Sequence, residues 1–101
     1  MAEERTPCRT PNNPGVTNIP TWKFETVRTA ILHALEAAGD EGLLFGELPG
    51  AVRARLSKDH LDRLGSLGWH VTTVKLELEV RGEITKVDGA SPQRLRSVTK
   101  A

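Results

Sequence analysis

The sequence predicts a small α+β domain of three helices and a short sheet, and three observations predict it. Trp69 to Arg81 carries apolar residues at helical spacing and runs into Gly82, a helix stop, with a strand beginning near Ile84. A second short strand, Leu95 to Val98, follows a connection, Asp88-Gly89-Ala90-Ser91-Pro92, made of turn residues. Upstream, Thr21 to Ala38 and Gly46 to Leu56 give two more helical patterns, with the short apolar run Leu43-Leu44-Phe45 between them. Helix, small strand, helix, helix and terminal hairpin is the order of a winged helix. In this chain an N-terminal β-turn arm over residues 1–20 precedes the winged-helix domain, residues 21–101.

The arm is rich in Pro, Asn and Thr. Asn12-Asn13-Pro14-Gly15 reads as its turn, because Pro14 presets φ for the second position and Gly15 tolerates positive φ at the third. Cys8 to Thr10 and Val16 to Ile19 would then be short flanking strands; a disordered leader is the alternative. In the first helix, Phe24, Val27, Ile31 and Leu35 share one face, Pro20 suits the first turn and Gly39 the C-terminal cap. The second helix repeats Leu48, Val52 and Leu56 every four residues, and Pro49 confines its start to within a few residues. Asp59 to Leu64 offers one further turn or short helix, broken by Gly65-Ser66-Leu67-Gly68.

The third helix is ambiguous at first sight. Val74, Leu76, Leu78 and Val80 alternate with Lys75, Glu77 and Glu79, which is a strand period. Four features favour a helix. Gly68 and Gly82 bracket a length too great for a typical strand, and Val71, Val74 and Leu78 also fit one helical face. Glu77 and Arg81 stand at i, i+4, and Gly82 leads directly into Glu83-Ile84. In the hairpin, Ile84 to Val87 and Leu95 to Val98 are the strands; Ile84, Leu95 and Val98 are candidates for the core face.

Bulk properties bound the rest. The chain has 101 residues, 38% apolar and 27% charged, with a formal net charge of +1. That fits one soluble domain with no global field for a polyanion. No apolar run approaches the ~18 residues that span a bilayer. The polar start M-A-E-E-R-T-P fits neither a signal nor a transit peptide, so a cytoplasmic location is expected. Cys8 is the single cysteine, so no internal disulfide is expected, and without a plausible base nearby it reads as an inert thiol. Charge is uneven: residues 81–101 hold Arg81, Lys86, Arg94, Arg96 and Lys100 against Glu83 and Asp88, which makes the wing the basic end.

Two local motifs resemble a known group. One is the arm turn N-N-P-G-V, residues 12–16. The other runs from Gly68-Trp69 through Thr73-Val74-Lys75-Leu76-Glu77-Leu78-Glu79 to Gly82 and Ile84. Together they are similar to a family of small bacterial winged-helix proteins of unknown function, from about Pro11 onward. The resemblance implies a winged-helix fold and a suspected nucleic-acid role, with no established target, reaction or cofactor. More distantly, Val71, Val74, Leu78, Gly82 and Ile84 resemble the third helix and wing entry of winged-helix regulators, in which that helix enters the major groove.

No catalytic constellation is legible. His33, His60 and His70 are scattered, and no Cys or acidic cluster has metal-ligand spacing, so neither metal nor cofactor is expected. Gly39, Gly42 and Gly46 are spread as caps and turns rather than gathered in a phosphate loop. Ser57, Ser66 and Ser91 lack a nucleophile-elbow context. Glu77 and Glu79, two apart on a helix, diverge.

Projection of the third helix at ~100° per residue separates two readings of function. Val71, Val74 and Leu78 form the core side, and Trp69, Thr73, Leu76 and Val80 a second apolar stripe roughly opposite. Thr72, Lys75 and Glu79 form one polar strip between them; His70, Glu77 and Arg81 form the other. In the leading reading the protein is a DNA-binding, transcription-regulator-like module. Thr72, Lys75 and Arg81 then act from the helix and Lys86, Arg94 and Arg96 from the wing, holding duplex DNA weakly through phosphate. The helix has no Asn or Gln for base edges and two Glu against one Lys and one Arg, which opposes tight sequence readout. In the alternative, Trp69, Leu76 and Val80 are the docking or dimer face for a second copy or another protein. Internal cover of that stripe by the arm or Trp22 is the plain structural option. An enzyme is not expected.

Overall fold

The computed structural model describes residues 4–87, 89 and 92–98. The N-terminal arm is an antiparallel hairpin, β1 (Arg5–Thr10) paired with β2 (Asn13–Pro20). Its turn differs from the sequence expectation. Thr10 pairs with Asn13, so Pro11 and Asn12 form the tip, and Asn13, Pro14 and Gly15 belong to β2. Asn12 takes the left-handed conformation at φ 62°, which Asn tolerates because its short polar side chain can bond locally. The Asn13 side chain instead accepts the Gly15 N–H at 2.8 Å.

From the arm the chain enters α1 (Thr21–Ala38) directly after Pro20 and leaves it at Gly39, whose N–H bonds back to Leu35 and Glu36 carbonyls. A single turn of 3₁₀ helix, Gly39–Glu41, leads to β3 (Leu43–Leu44). Gly42 is required between them: its φ is +74°, and a Cβ there would collide with the Leu95 carbonyl.

The second helix is shorter than its apolar pattern suggests. Phe45–Glu47 is another 3₁₀ turn, α2 covers only Leu48–Arg53, and Leu56 lies beyond it, partly buried. Pro49 sits in the first turn as required. The Asp59–Leu64 segment is a helix in its own right, α3 (Lys58–Leu64), capped by the Ser57 hydroxyl, which accepts the His60 N–H.

The ambiguous segment is helical: α4 spans Leu67–Arg81. Ser66 caps its start by accepting the Trp69 N–H. Its end is a Schellman arrangement, with Gly82 left-handed at φ 76°, Gly82 N–H bonded to Glu79 and Glu83 N–H to Leu78. Local alternation of Val and Leu cannot override two good caps and a buried face.

β4 (Ile84–Lys86) and β5 (Arg94–Ser97) complete an antiparallel sheet of order β3-β5-β4. The architecture is α+β, with this sheet closing a helical core in a winged-helix-like arrangement; α3 makes four α-helices rather than three among the described residues. In the connection between the last two strands, Asp88, Ala90 and Ser91 lie outside the described residues, as does Lys100.

The core is formed by Phe24, Val27, Ile31 and Leu35 of α1, Leu48 and Val52 of α2, and Leu64 of α3. Val71, Val74 and Leu78 of α4, with Ile84 and Leu95, complete it. Cys8 and Ile19 join it from the arm, so the hairpin is packed onto the domain at its base. Val98 does not reach the core: it lies past the end of β5 and is 39% exposed.

Candidate interaction surfaces on α4 and the wing

The walls of α4 are decided by what packs on each side. Its inner side faces α1 and α2 through Val71, Val74 and Leu78. β1 packs on the neighbouring flank, and there the polar strip read from sequence turns inward. Glu77 is 1% exposed and His70 is buried. Lys75, on the other strip, is buried as well, beneath Phe45, with its Nζ 4.8 Å from the ring centroid. The helix therefore buries far more than its obvious apolar stripe.

Glu77 anchors the arm. Its Oε1 accepts the Arg9 backbone N–H at 2.8 Å and Nε at 3.0 Å; its Oε2 accepts Arg9 Nη2 and Arg81 Nε, each at 2.7 Å. Burial pushes the carboxyl up, but the hydrogen bonds from Arg9 and Arg81 outweigh it and hold the pKa at about 2. Arg81 continues the chain: its Nη1 is 3.8 Å from Glu83, which also pairs with Arg28 of α1. The Arg81 guanidinium lies over the Phe24 ring at 4.7 Å. Arg9, Glu77, Arg81, Glu83 and Arg28 thus tie arm, α4, wing entry and α1 together.

Two other buried groups follow from the same packing. Burial lowers the His70 pKa, partly countered by the bond from Nδ1 to the Ser66 carbonyl at 2.6 Å. Burial and the Glu77 charge push the Cys8 thiol up to about 11, so it stays protonated at neutral pH.

The six residues expected to touch phosphate fall into different settings. Lys75 pairs with Glu79 with both side chains largely out of water, and Arg81 is engaged by Glu77 and Glu83. Thr72 and Arg81 are exposed, but of the two Arg81 has its guanidinium held by carboxylates. On the wing, Leu95 points to the core, so the alternation of β5 puts Arg94 and Arg96 on the outer face of the sheet. Register places Leu44 beside Arg94 and Thr85 beside Arg96. Lys86 belongs to the other face and is exposed at the strand end. Among the described residues none of these three wing cations has a carboxylate partner; Arg94 and Arg96 make only long 3.4 Å contacts to the Gly42 and Ser97 carbonyls.

What α4 leaves outward is apolar. Trp69 is 48% exposed, Thr73, Leu76 and Val80 are half-buried, and Thr72 and Gly68 complete the arc. The arm packs on α4 and Trp69 remains exposed. No cation stands free on it. A projection could not find the Glu77 anchor, since it treats a carboxylate as solvated.

The three histidines stay apart in role: His33 is exposed, His60 lies against Trp22 with ring centroids 6.4 Å apart, and His70 is buried. Among the described residues no group of three His, Cys, Asp or Glu could hold a metal, and no helix is long and apolar enough to cross a membrane.

Fold and surfaces together define a small α+β domain of winged-helix-like arrangement with an apolar helix face and a basic wing. By sequence the chain belongs to a family of unknown function (DUF6958), whose model matches residues 5–95. Neither curated proteins nor solved structures give a match.

Proposed function

We propose that this protein is a cytoplasmic, non-catalytic nucleic-acid-binding module that holds phosphate with its wing rather than reading bases with α4. One observation carries the reading. Arg94 and Arg96 share the outer face of the sheet, and neither they nor Lys86 pairs with a carboxylate among the described residues, whereas Lys75 and Arg81 are consumed by internal partners. Thr72 is the α4 side chain left to touch a backbone. Contact of this kind is weak, insensitive to sequence and strongly dependent on salt. Duplex DNA of random sequence is the natural ligand to try. Three phosphate contacts give a slope of log affinity against log salt of about −3, from roughly −0.9 per contact. Titration of labelled duplex DNA at several salt concentrations tests this, and Arg94→Ala with Arg96→Ala should lower the slope by about 2. Binding that is absent at low salt, or unchanged in the double variant, removes the proposal.

A second reading rests on a different surface. The exposed Trp69 beside Leu76 and Val80 is the kind of aromatic-centred apolar patch that protein interfaces use, and in this reading the α4 face docks protein.

A further inference from the structure

Beside the wing arginines lies an open, largely apolar cavity of about 440 Å³, lined among the described residues by Leu44, Phe45, Gly46, Glu47, Pro92 and Gln93. The sheet joins cavity and cations. Leu44 is the register partner of Arg94, so the two side chains share the outer face, with Cβ atoms about 5 Å apart. The Phe45 N–H bonds the Gln93 carbonyl at 3.2 Å, which fixes the cavity wall to the residue before Arg94. Arg96 follows on the same face, about 7 Å further along β5 at ~3.4 Å per residue.

Charge decides what each part can take. Arg94 and Arg96 have no carboxylate partner among the described residues and can hold phosphate. The cavity cannot. Glu47 stands on its wall, with Oε1 accepting the Leu44 N–H at 3.2 Å, and its carboxylate would repel an anion placed inside. Leu44, Pro92 and the half-buried ring of Phe45 offer a neutral, flat group an apolar wall with an aromatic in it. The volume lies within the ~300–1,000 Å³ of small-ligand sites.

We propose that the wing takes single-stranded nucleic acid, with one unpaired base in this cavity against Phe45 and neighbouring phosphates on Arg94 and Arg96. The proposal rests on the wing reading above and names the form of nucleic acid. Ring and anion side by side are the two parts of a nucleotide. In a duplex each base is stacked on both faces and paired along its edge, so it reaches the arginines but not the cavity. Two separate cations take two phosphates, which suits a strand better than a free mononucleotide. Every base has a face to stack, so the site tolerates sequence.

The full chain is titrated with three labelled DNA probes at several salt concentrations. They are a mixed-sequence strand of about 14 residues, within the ~4–16 nucleotides of single-strand sites, the duplex it forms with its complement, and a sugar-phosphate backbone of the same length without bases. The strand should bind roughly 5- to 150-fold tighter than the base-free backbone, the range one stacked base gives. That lead should hold as salt rises, because stacking releases no counterions, whereas duplex binding fades. Phe45→Leu should remove most of the lead and leave duplex binding as it was; Leu44→Ala gives the same result if Phe45→Leu does not fold. Arg94→Ala with Arg96→Ala should weaken all three probes. A strand that binds no better than the base-free backbone, or one indifferent to both cavity variants, overturns the inference. If the duplex still binds in a salt-dependent way, the wing reading survives that result. Absence of binding by all three probes at low salt overturns both.

Discussion

The cations of α4 and the cations of the wing began with the same expected task and ended in opposite environments. Lys75 and Arg81 lie on a helix packed on two flanks, so Lys75 is buried against Glu79 and Arg81, though nearer water, is held by the buried Glu77 and by Glu83. Arg94 and Arg96 lie on a small sheet covered on one face only, so they remain at the surface without carboxylate partners among the described residues. A charged side chain on a covered flank becomes structural because an unpaired buried charge costs several kcal/mol. The same residue type on an open sheet face stays available to a ligand. The comparison moves the candidate phosphate contacts from the helix to the wing and leaves α4 with an apolar face.

The largest test of that contrast sets the two sides of α4 against each other. Leu78→Ala should lose about 2–5 kcal/mol by urea denaturation, as a buried leucine does, while Leu76→Ala on the outward side should lose less than about 1 kcal/mol. Equal losses would mean the outward face is covered. Glu77→Ala comes next, at about 2–3 kcal/mol. That lies below the usual cost of breaking a buried pair, because Arg9 and Arg81 stay near water; amide protection in β1 should fall with it. An unchanged arm would show that Cys8 and Ile19 hold the hairpin without the charge.

Acid stability offers a smaller signal. The Glu77 pKa is depressed from 4.5 to about 2 in the folded chain, so the unfolded chain takes up this proton first as pH falls. The stabilisation is present above 4.5 and is lost on the way down to about 2. The lowered pKa of His70 acts in the same direction, starting below its ordinary 6.5. Glu77→Gln should flatten the lower limb of the pH–stability curve and leave the limb near 6 in place; a curve unchanged by Glu77→Gln would contradict the anchor. The smallest effect on stability belongs to the wing: Arg94→Ala with Arg96→Ala should stay within about 0.5 kcal/mol by thermal melting while lowering the salt slope of DNA binding. A large loss of stability would make these arginines structural, like those of α4.

Much of the fold was legible because its signals are local. Phe24, Val27, Ile31 and Leu35 mark one face of α1, and Gly39 ends it as expected. Gly82 stops α4 at the residue named from sequence, and Ile84 and Leu95 face the core as expected. The arm turn was misplaced by one choice among adjacent turn formers, where Asn12 took the left-handed position. Val98 is a core candidate by chemistry alone, and it lies beyond the end of β5 and is exposed. The second helix was overextended because Leu56 continues a spacing that the backbone does not.

The sequence by itself determined the element order, the caps and the inner stripe of α4, since each depends on φ preference or on residues within a few positions of one another. The tertiary structure alone decided which polar residues of α4 are interior. Its two polar strips, Thr72–Lys75–Glu79 and His70–Glu77–Arg81, both lie between apolar stripes, so no local preference chooses between its flanks. The choice is made by Arg9 reaching Glu77 from 68 residues away and by Phe45 covering Lys75: long-range packing creates the enclosed sites that make those charges pair.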